Sequence, residues 1–425
     1  MRTLRTGSRG PAVQLLQLAL NRAEGAALIT DGLFGPATRE AVRRFQRREN
    51  LSADGVAGPE THRALQPWVL GYRTHRVERG DSWWALARRY GSTVEAIALA
   101  NPALQPENLP VGARLILPLA FPVVLTGIDW FSTLTAICIR GLTARYPFLA
   151  SGQIGRSVMG KPLWSLRLGQ GENRVLYNGE HHANEWITTP LLLRFAEELA
   201  AAAAAGEALE GHSAAEILDY ASITLIPTVN PDGMDLVTGE LQEGERYEQA
   251  RQIAGRYPRF PFPSGWKANI RGVDLNLQYP ALWEKARENK FAQGIISPAP
   301  ADFVGTAPLT EPEALAMRDA TRRLDPALTL ALHSQGEVIY WEFQGYQPPE
   351  SRQIARAFAQ VSGYAQETVP DASGYAGYKD WFLQETRRPG FTLEVGQGVN
   401  PLPIGDFEGI YRKLRPILVL AALVT

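Results

Sequence analysis

Apolar and polar positions repeat with two different periods along this chain, and the changes of period mark its parts. In the first 66 residues Val13, Leu16 and Leu20, and then Thr38, Ala41, Val42 and Phe45, fall at helical spacing. Each set makes one apolar stripe. The stretch Asp31-Gly32-Leu33-Phe34-Gly35-Pro36-Ala37-Thr38 recurs as Asp54-Gly55-Val56-Ala57-Gly58-Pro59-Glu60-Thr61. Asp-Gly makes a tight turn, and Pro suits the first position of the helix after it. Residues 1–66 are therefore predicted to be a small helical bundle with a Leu/Phe core, and 67–73 a linker. Over 74–118 the order is a strand, a helix carrying Trp84, Leu86, Ala87 and Tyr90, a helix from Thr93 to Ala100, and a returning strand at Arg114–Leu117. Asp81 or Ser82 can cap the first of these helices, and Asn101-Pro102 stops the second. From 122 to 425 the runs Arg174–Asn178, Ser222–Val229, Leu328–Leu332 and Phe391–Val395 alternate with helical stretches such as Leu191–Ala205. Ile, Leu and Val runs bounded by turns predict an α/β domain with a mixed sheet covered by helices. Residues 200–205 read as an exposed helix end and loop, and the apolar segment 416–425 as a buried last helix.

Composition narrows the function. Among 425 residues, 43 Lys+Arg balance 44 Asp+Glu; a nucleic-acid-binding protein would carry a basic excess. The lone cysteine, Cys138, rules out an internal disulfide or a thiolate metal cluster. No run of 18 apolar residues appears, and the N-terminus shows no export signal. These features predict a soluble protein with neither nucleic acid nor membrane as partner. Either it works inside the cell, or it leaves by a route that the sequence does not display.

Of six histidines, His62 and His75 lie in the two small units and His212 in a polar connection. His181, His182 and His333 follow strand-like runs, and ligands collect at the carboxyl ends of strands in open α/β sheets. His182 and Glu185 are three apart, so one helical turn brings them together. A catalytic zinc site needs three protein ligands and a water, and His333 could be the third. Glu394 lies inside an apolar strand, where a carboxylate is costly unless it works or is paired.

Three resemblances follow. The repeat resembles the peptidoglycan-binding domain of wall hydrolases; its ten Arg against six Asp+Glu suit weak attraction to an anionic polymer. The βααβ unit resembles a LysM domain, which implies binding to the glycan chains of peptidoglycan. Taken in order, His182-x-x-Glu185, Asn230-Pro231-Asp232-Gly233, Trp266-Lys267, Gly272-Val273-Asp274-Leu275-Asn276, His333, Asp380-Trp381 and Glu394 resemble the zinc carboxypeptidase family of carboxypeptidase A. That resemblance implies one Zn²⁺ per chain held by His182, Glu185 and His333. It makes Glu394 the general base that takes a proton from the attacking water and passes it to the leaving amine. Asp274 would orient the first zinc histidine, and Asn276 would sit at the substrate-carboxylate position. Lys267 or Arg271 would take the place of the family's carbonyl-polarising Arg, and Tyr375 or Tyr378 that of its mobile Tyr.

One departure shapes the functional expectation. The family's carboxypeptidases have Arg directly after that Asn to pair with a substrate's terminal carboxylate; here the residue is Leu277, which cannot donate those bonds. With two wall-binding modules in the chain, this resembles the γ-D-glutamyl-L-diamino acid endopeptidases, which cut peptidoglycan stem peptides between D-glutamate and meso-diaminopimelate or lysine. Two other readings stand beside it. A zinc carboxypeptidase trimming stem or other peptides is opposed by Leu277. A non-catalytic wall-binding scaffold is opposed by retention of the ligand set and Glu394.

Overall fold

The structure is a computed structural model that describes residues 2–105, 109–371 and 374–424. It divides into two compact units, residues 1–129 with 136–150, and residues 130–135 with 151–425.

In the first unit, helices α1 (Pro11–Glu24), α2 (Pro36–Arg48) and α3 (Pro59–Leu70) each begin with proline after a glycine. Val13, Leu16, Leu20, Val42 and Phe45 are buried between them. Each copy of the repeat wraps around a buried glutamine from the preceding helix. Gln17 Nε2 donates to Asp31 Oδ1 (2.8 Å), Leu33 O (3.1 Å) and Thr38 Oγ1 (3.2 Å), while its Oε1 accepts from Gly32 N (3.0 Å). Gln46 repeats the pattern with Asp54 (2.9 Å), Val56 O (2.9 Å), Thr61 (3.1 Å) and Gly55 N (2.9 Å). Gly32 and Gly55 sit at φ 71° and 76°, backbone that a side chain would strain.

The expected linker 67–73 is not a linker. Pro67–Leu70 completes α3, with Val69 and Leu70 buried, and Gly71 alone separates it from strand β1 (Tyr72–Arg76). Apolar burial of the last turn outweighs the interior proline, whose missing N–H removes one helical bond. The βααβ unit follows as β1, α4 (Trp83–Tyr90), α5 (Val94–Ala100) and β2 (Arg114–Pro118), with β1 and β2 antiparallel; its residues 106–108 lie outside the described ones. Ser82, not Asp81, caps α4 by accepting from Ala85 N (3.2 Å), and Asp81 instead holds His75 Nε2 at 2.7 Å. Trp83 is buried in this unit's core and Trp84 is exposed.

The second unit is built on eight strands: β3 (Ala150–Arg156), β4 (Pro162–Leu168), β5 (Asn173–Gly179), β6 (Ala221–Ile226), β7 (Leu328–His333), β8 (Val338–Tyr340), β9 (Ala365–Glu367) and β10 (Gly390–Glu394). Their order is β9-β8-β10-β7-β5-β6-β4-β3. The four central strands β10, β7, β5 and β6 are parallel, so their carboxyl ends lie along one edge of the sheet. β6 and β7 are buried throughout, as strands covered on both faces must be. Residues 200–205 are helical to Ala205, and Gly206 caps the helix at φ 68°. The final helix, Phe407–Ala421, buries Ile417, Leu418 and Val419, and Thr425 lies outside the described residues. No helix among the described residues is long and apolar enough to cross a membrane.

A buried polar cluster lies beneath the sheet edge. Glu313 Oε1 accepts from Val158 N (2.9 Å), and Asn269 Nδ2 donates to Glu311 Oε2 (2.7 Å) and Glu313 Oε2 (3.4 Å). Burial, helped by Asp232 and Glu311 nearby, pushes the Glu313 pKa up to about 7. The folded protein then holds a proton that the unfolded chain gives up near pH 4.5, so stability falls as pH rises between these values. Glu313→Gln removes that loss. It is expected to stabilise the protein at pH 8 by up to about 3 kcal/mol and to change little at pH 4. Thermal melting at both pH values checks this; an equal shift at both would mean that Glu313 does not titrate in this range.

Candidate metal centre and active-site cleft

Strand β5 ends at Gly179, and the chain turns through Glu180 and His181 to His182. His182 opens a short 3₁₀ turn, Ala183–Glu185, with Glu185 N donating to His182 O (3.0 Å). That turn folds the Glu185 carboxylate back onto the imidazole, with His182 Nδ1 2.9 Å from Oε1. His333 closes β7 and places its Nδ1 2.9 Å from Glu185 Oε2. Asn230 holds this corner by donating from Nδ2 to His181 O (3.2 Å) and Ala268 O (3.1 Å). Gly233 is required beside it, since a Cβ there would come within 2.6 Å of Ala183 Cβ. Asn230-Pro231-Asp232-Gly233 is therefore scaffold for the turn, not part of its chemistry.

The donor set fits zinc. The His182 and His333 Nδ1 atoms are 3.2 Å apart, and both face the carboxylate of Glu185. Tetrahedral zinc with Zn–N bonds of about 2.0–2.1 Å separates two nitrogens by about 3.3 Å. His182 Nε2 lies 3.2 Å from Asp274 Oδ1, which selects the tautomer with its lone pair on Nδ1. Asp274 is itself aimed by the Asn276 N (3.1 Å) and Asp302 N (3.2 Å) donors. Burial opposes charge on His182, but the Glu185 and Asp274 carboxylates outweigh it and push its pKa up to about 9. A proton therefore competes with a metal for this nitrogen.

His182 borders a cleft of about 290 Å³ whose lining includes Lys267, Asp274, Asn276, Leu277, Tyr340 and Glu394. Glu394 ends β10 directly opposite His333 on β7. Side chains alternate along a strand, so Thr392 shares its face, while the buried Leu393 points the other way. Burial raises the Glu394 pKa against the pull of the neighbouring His333 and Lys267. Lys267 Nζ is 3.3 Å from Glu185 Oε1. Burial works against its charge, but Glu185, Asp274 and Glu394 more than compensate and keep it cationic.

Three sequence candidates fall outside the cleft. Arg271 pairs with Glu311 (3.4 Å) in a separate outer groove with Arg246 and Arg256. The tight turn between it and Lys267 sends the two cations in different directions. Tyr378 is fully buried, and its hydroxyl bonds Thr321 (2.9 Å) and Thr329 (3.3 Å). Tyr375 packs edge-on against Phe343 in the core. Lys267 is thus the cation that the structure brings to the metal centre, and neither tyrosine reaches the cleft. Tyr340, Thr392 and Lys379 do line it, and the sequence reasoning missed them. The period-two spacing of Thr392 and Glu394 was the one available signal.

Residues 136–409 match the zinc carboxypeptidase family model. The chain belongs to the zinc carboxypeptidase family. As a member of it, the protein is a zinc metallopeptidase. A peptidoglycan-binding domain model matches residues 9–65 and a LysM domain model residues 75–118, so this zinc carboxypeptidase relative carries two further modules in one chain. It is 46% identical over 275 residues to gamma-D-glutamyl-L-diamino acid endopeptidase 1 of Lysinibacillus sphaericus, covering 65% of this chain and 67% of that protein. It is 41% identical over 284 residues to the uncharacterized protein YqgT of Bacillus subtilis, covering 66% and 73%. Among solved structures, bovine thrombin-activatable fibrinolysis inhibitor superposes with a TM-score of 0.53 at 19% identity, over 69% of this chain and 96% of that one. This likeness shows the zinc carboxypeptidase fold.

Proposed function

We propose that the chain hydrolyses the γ-D-glutamyl–diamino acid bond in the stem peptides of peptidoglycan. The observation that carries this reading is Leu277, an apolar residue in the cleft wall where the family's carboxypeptidases need Arg, in a chain with two wall-binding modules. The named activity of the L. sphaericus relative supports it. Residues 1–66, 74–118 and 122–425 serve as peptidoglycan-binding, LysM and peptidase modules. The first two hold glycan chains while the third works on the attached peptides.

His182, Glu185 and His333 hold the metal, and Asp274 keeps His182 in the ligating tautomer. Bound zinc supplies Lewis-acid activation of the attacking water and of the scissile carbonyl. Glu394 takes the proton of that water and delivers it to the departing amine. Lys267 stands beside the metal as a point charge for the developing oxyanion. The Asn276 side-chain Oδ1 accepts from Tyr378 N (3.0 Å), leaving its Nδ2 to donate to the leaving residue.

Digestion of defined muropeptides followed by mass spectrometry tests the reading. The expected products are an N-terminal fragment ending in D-glutamate and a fragment beginning with the diamino acid. Release of terminal D-alanine alone would establish a carboxypeptidase instead.

A further inference from the structure

We propose that a groove on the outside of the peptidase unit, lined by Arg246, Arg256 and Arg271, binds a polyol-phosphate polymer. Its lining shares no residue with the metal-centre cleft, and the inference does not depend on which bond that cleft cuts.

The groove has a volume of about 410 Å³. One wall is the helix Glu245–Gly255. Arg246, Gln249, Ile253 and Arg256 recur along it and its cap at steps of three and four, so they share one face. The other side of the helix buries Ala250 and Ala254 in a cluster with Trp266 and Ile270. Ile270 and Arg271 form the second wall. They lie on the turn that Asn269 Oδ1 holds by accepting from Arg271 N (3.0 Å). The two walls are therefore fixed to each other through the core. Ile253 and the buried Ile270 put apolar surface between the charges, and such low-dielectric walls focus the field of a groove of one sign.

The three guanidinium groups are sparsely used. Among the described residues Arg246 donates only to Gln249 Oε1 (3.0 Å) and Arg256 only to Pro298 O (3.3 Å), both neutral acceptors. Arg271 meets Glu311 at 3.4 Å, but that carboxylate oxygen also accepts from Asn269 Nδ2 at 2.7 Å, and the Arg271 side chain stays 45% exposed. A guanidinium has five N–H donors, so each keeps most of them for a ligand. The acids of the same helix are already taken, Glu248 by Arg251 (2.7 Å) and Glu245 by Gln249 Nε2 (2.9 Å). Arg246 also lies in the first turn of its helix, where the helix dipole disfavours a cation. An anion in the groove offsets both that field and the repulsion among the three like charges.

A phosphodiester fits this arrangement better than a carboxylate. Its tetrahedral oxygens can accept from forks that approach on different sides, whereas a single arginine fork in the carboxylate plane satisfies both carboxylate oxygens. Gln252, exposed on the same helix and lining the groove, offers a neutral amide to hydroxyls between phosphates. No bond is made or broken; the groove is a point of attachment.

Calorimetric titration of the full, zinc-loaded chain with a glycerol-phosphate oligomer of defined length tests this, with a glutamate oligomer of equal length as the comparison. At physiological ionic strength the wild type is expected to bind the phosphate oligomer at least about tenfold more tightly than the glutamate one. Arg246→Gln/Arg256→Gln should weaken that binding by at least about tenfold and flatten its salt dependence, because fewer counterions are released. Arg246→Gln alone loses no bond to another element, so it keeps the fold even if the double variant does not; it should weaken binding by about three- to tenfold. Arg5→Gln/Arg44→Gln removes the same charge from exposed positions in the first unit and should leave the affinity within about twofold, since charges so placed are screened. No binding of the phosphate oligomer, equal or tighter binding of the glutamate oligomer, unchanged affinity in Arg246→Gln, or equal weakening by the Arg5 and Arg44 substitutions would each overturn the inference.

Discussion

Glu394→Gln is expected to lower kcat by at least about 10²–10⁴-fold while leaving zinc content, substrate binding and melting temperature close to wild type. The substitution keeps the shape of the side chain and removes its ability to accept a proton. Its strand is held by Phe391, Leu393 and Val395, all buried, and none of these contacts changes. The carboxylate is raised in pKa by burial, so removing its charge relieves a desolvation cost and should not destabilise the fold. The acid limb of the kcat/KM profile should flatten with the loss of this base. Steady-state kinetics, metal analysis and a melting curve on the one variant decide the matter. A folded, zinc-loaded variant with near-normal turnover would take Glu394 out of the mechanism.

His333→Ala should cost more than activity. Loss of an outer partner of a ligand commonly reduces metal affinity by about 10–100-fold, and loss of a ligand itself should exceed that. Zinc bound after dialysis should fall from one per chain to well below it, and turnover with it. The fold should suffer too, because His333 is buried at the end of β7 and truncating it leaves a void beside Glu185. Ser334 N (3.2 Å) and Lys267 (3.3 Å) would remain to hold that carboxylate. Zinc titration by competition with a chelator measures the effect. Unchanged stoichiometry and affinity would mean that the metal is held elsewhere.

Much of this centre was legible in the sequence because its chemistry sits at the ends of strongly patterned strands. The apolar runs before His181 and through Leu328–Leu332 announced the strands, and the His182–Glu185 spacing announced a turn. What stayed hidden depends on where the backbone reverses. Lys267 and Arg271 are equivalent cations in a linear reading. In the fold, Asn269 Oδ1 accepts from both Arg271 N (3.0 Å) and Val273 N (3.2 Å), and that turn separates them. Tyr375 and Tyr378 have the right side chain for a cleft, but the first packs edge-on against Phe343 in the core and the second finds the hydroxyls of Thr321 and Thr329 there. The wrapped glutamines were invisible for another reason. Gln17 precedes its aspartate by 14 residues and Gln46 by eight, so no fixed spacing links them to the repeat they close.

The pairing of β7 with β10 has one more consequence. Glu394 stands opposite His333 through the ladder that begins at Gly390 and Thr329, and a slip of one residue would turn every side chain of β10 to the other face. Leu393 would then project beside the metal ligands and Glu394 would enter the core. The three buried apolar residues Phe391, Leu393 and Val395 make that error expensive. A chain that completes this core has, by the same act, set Glu394 opposite His333.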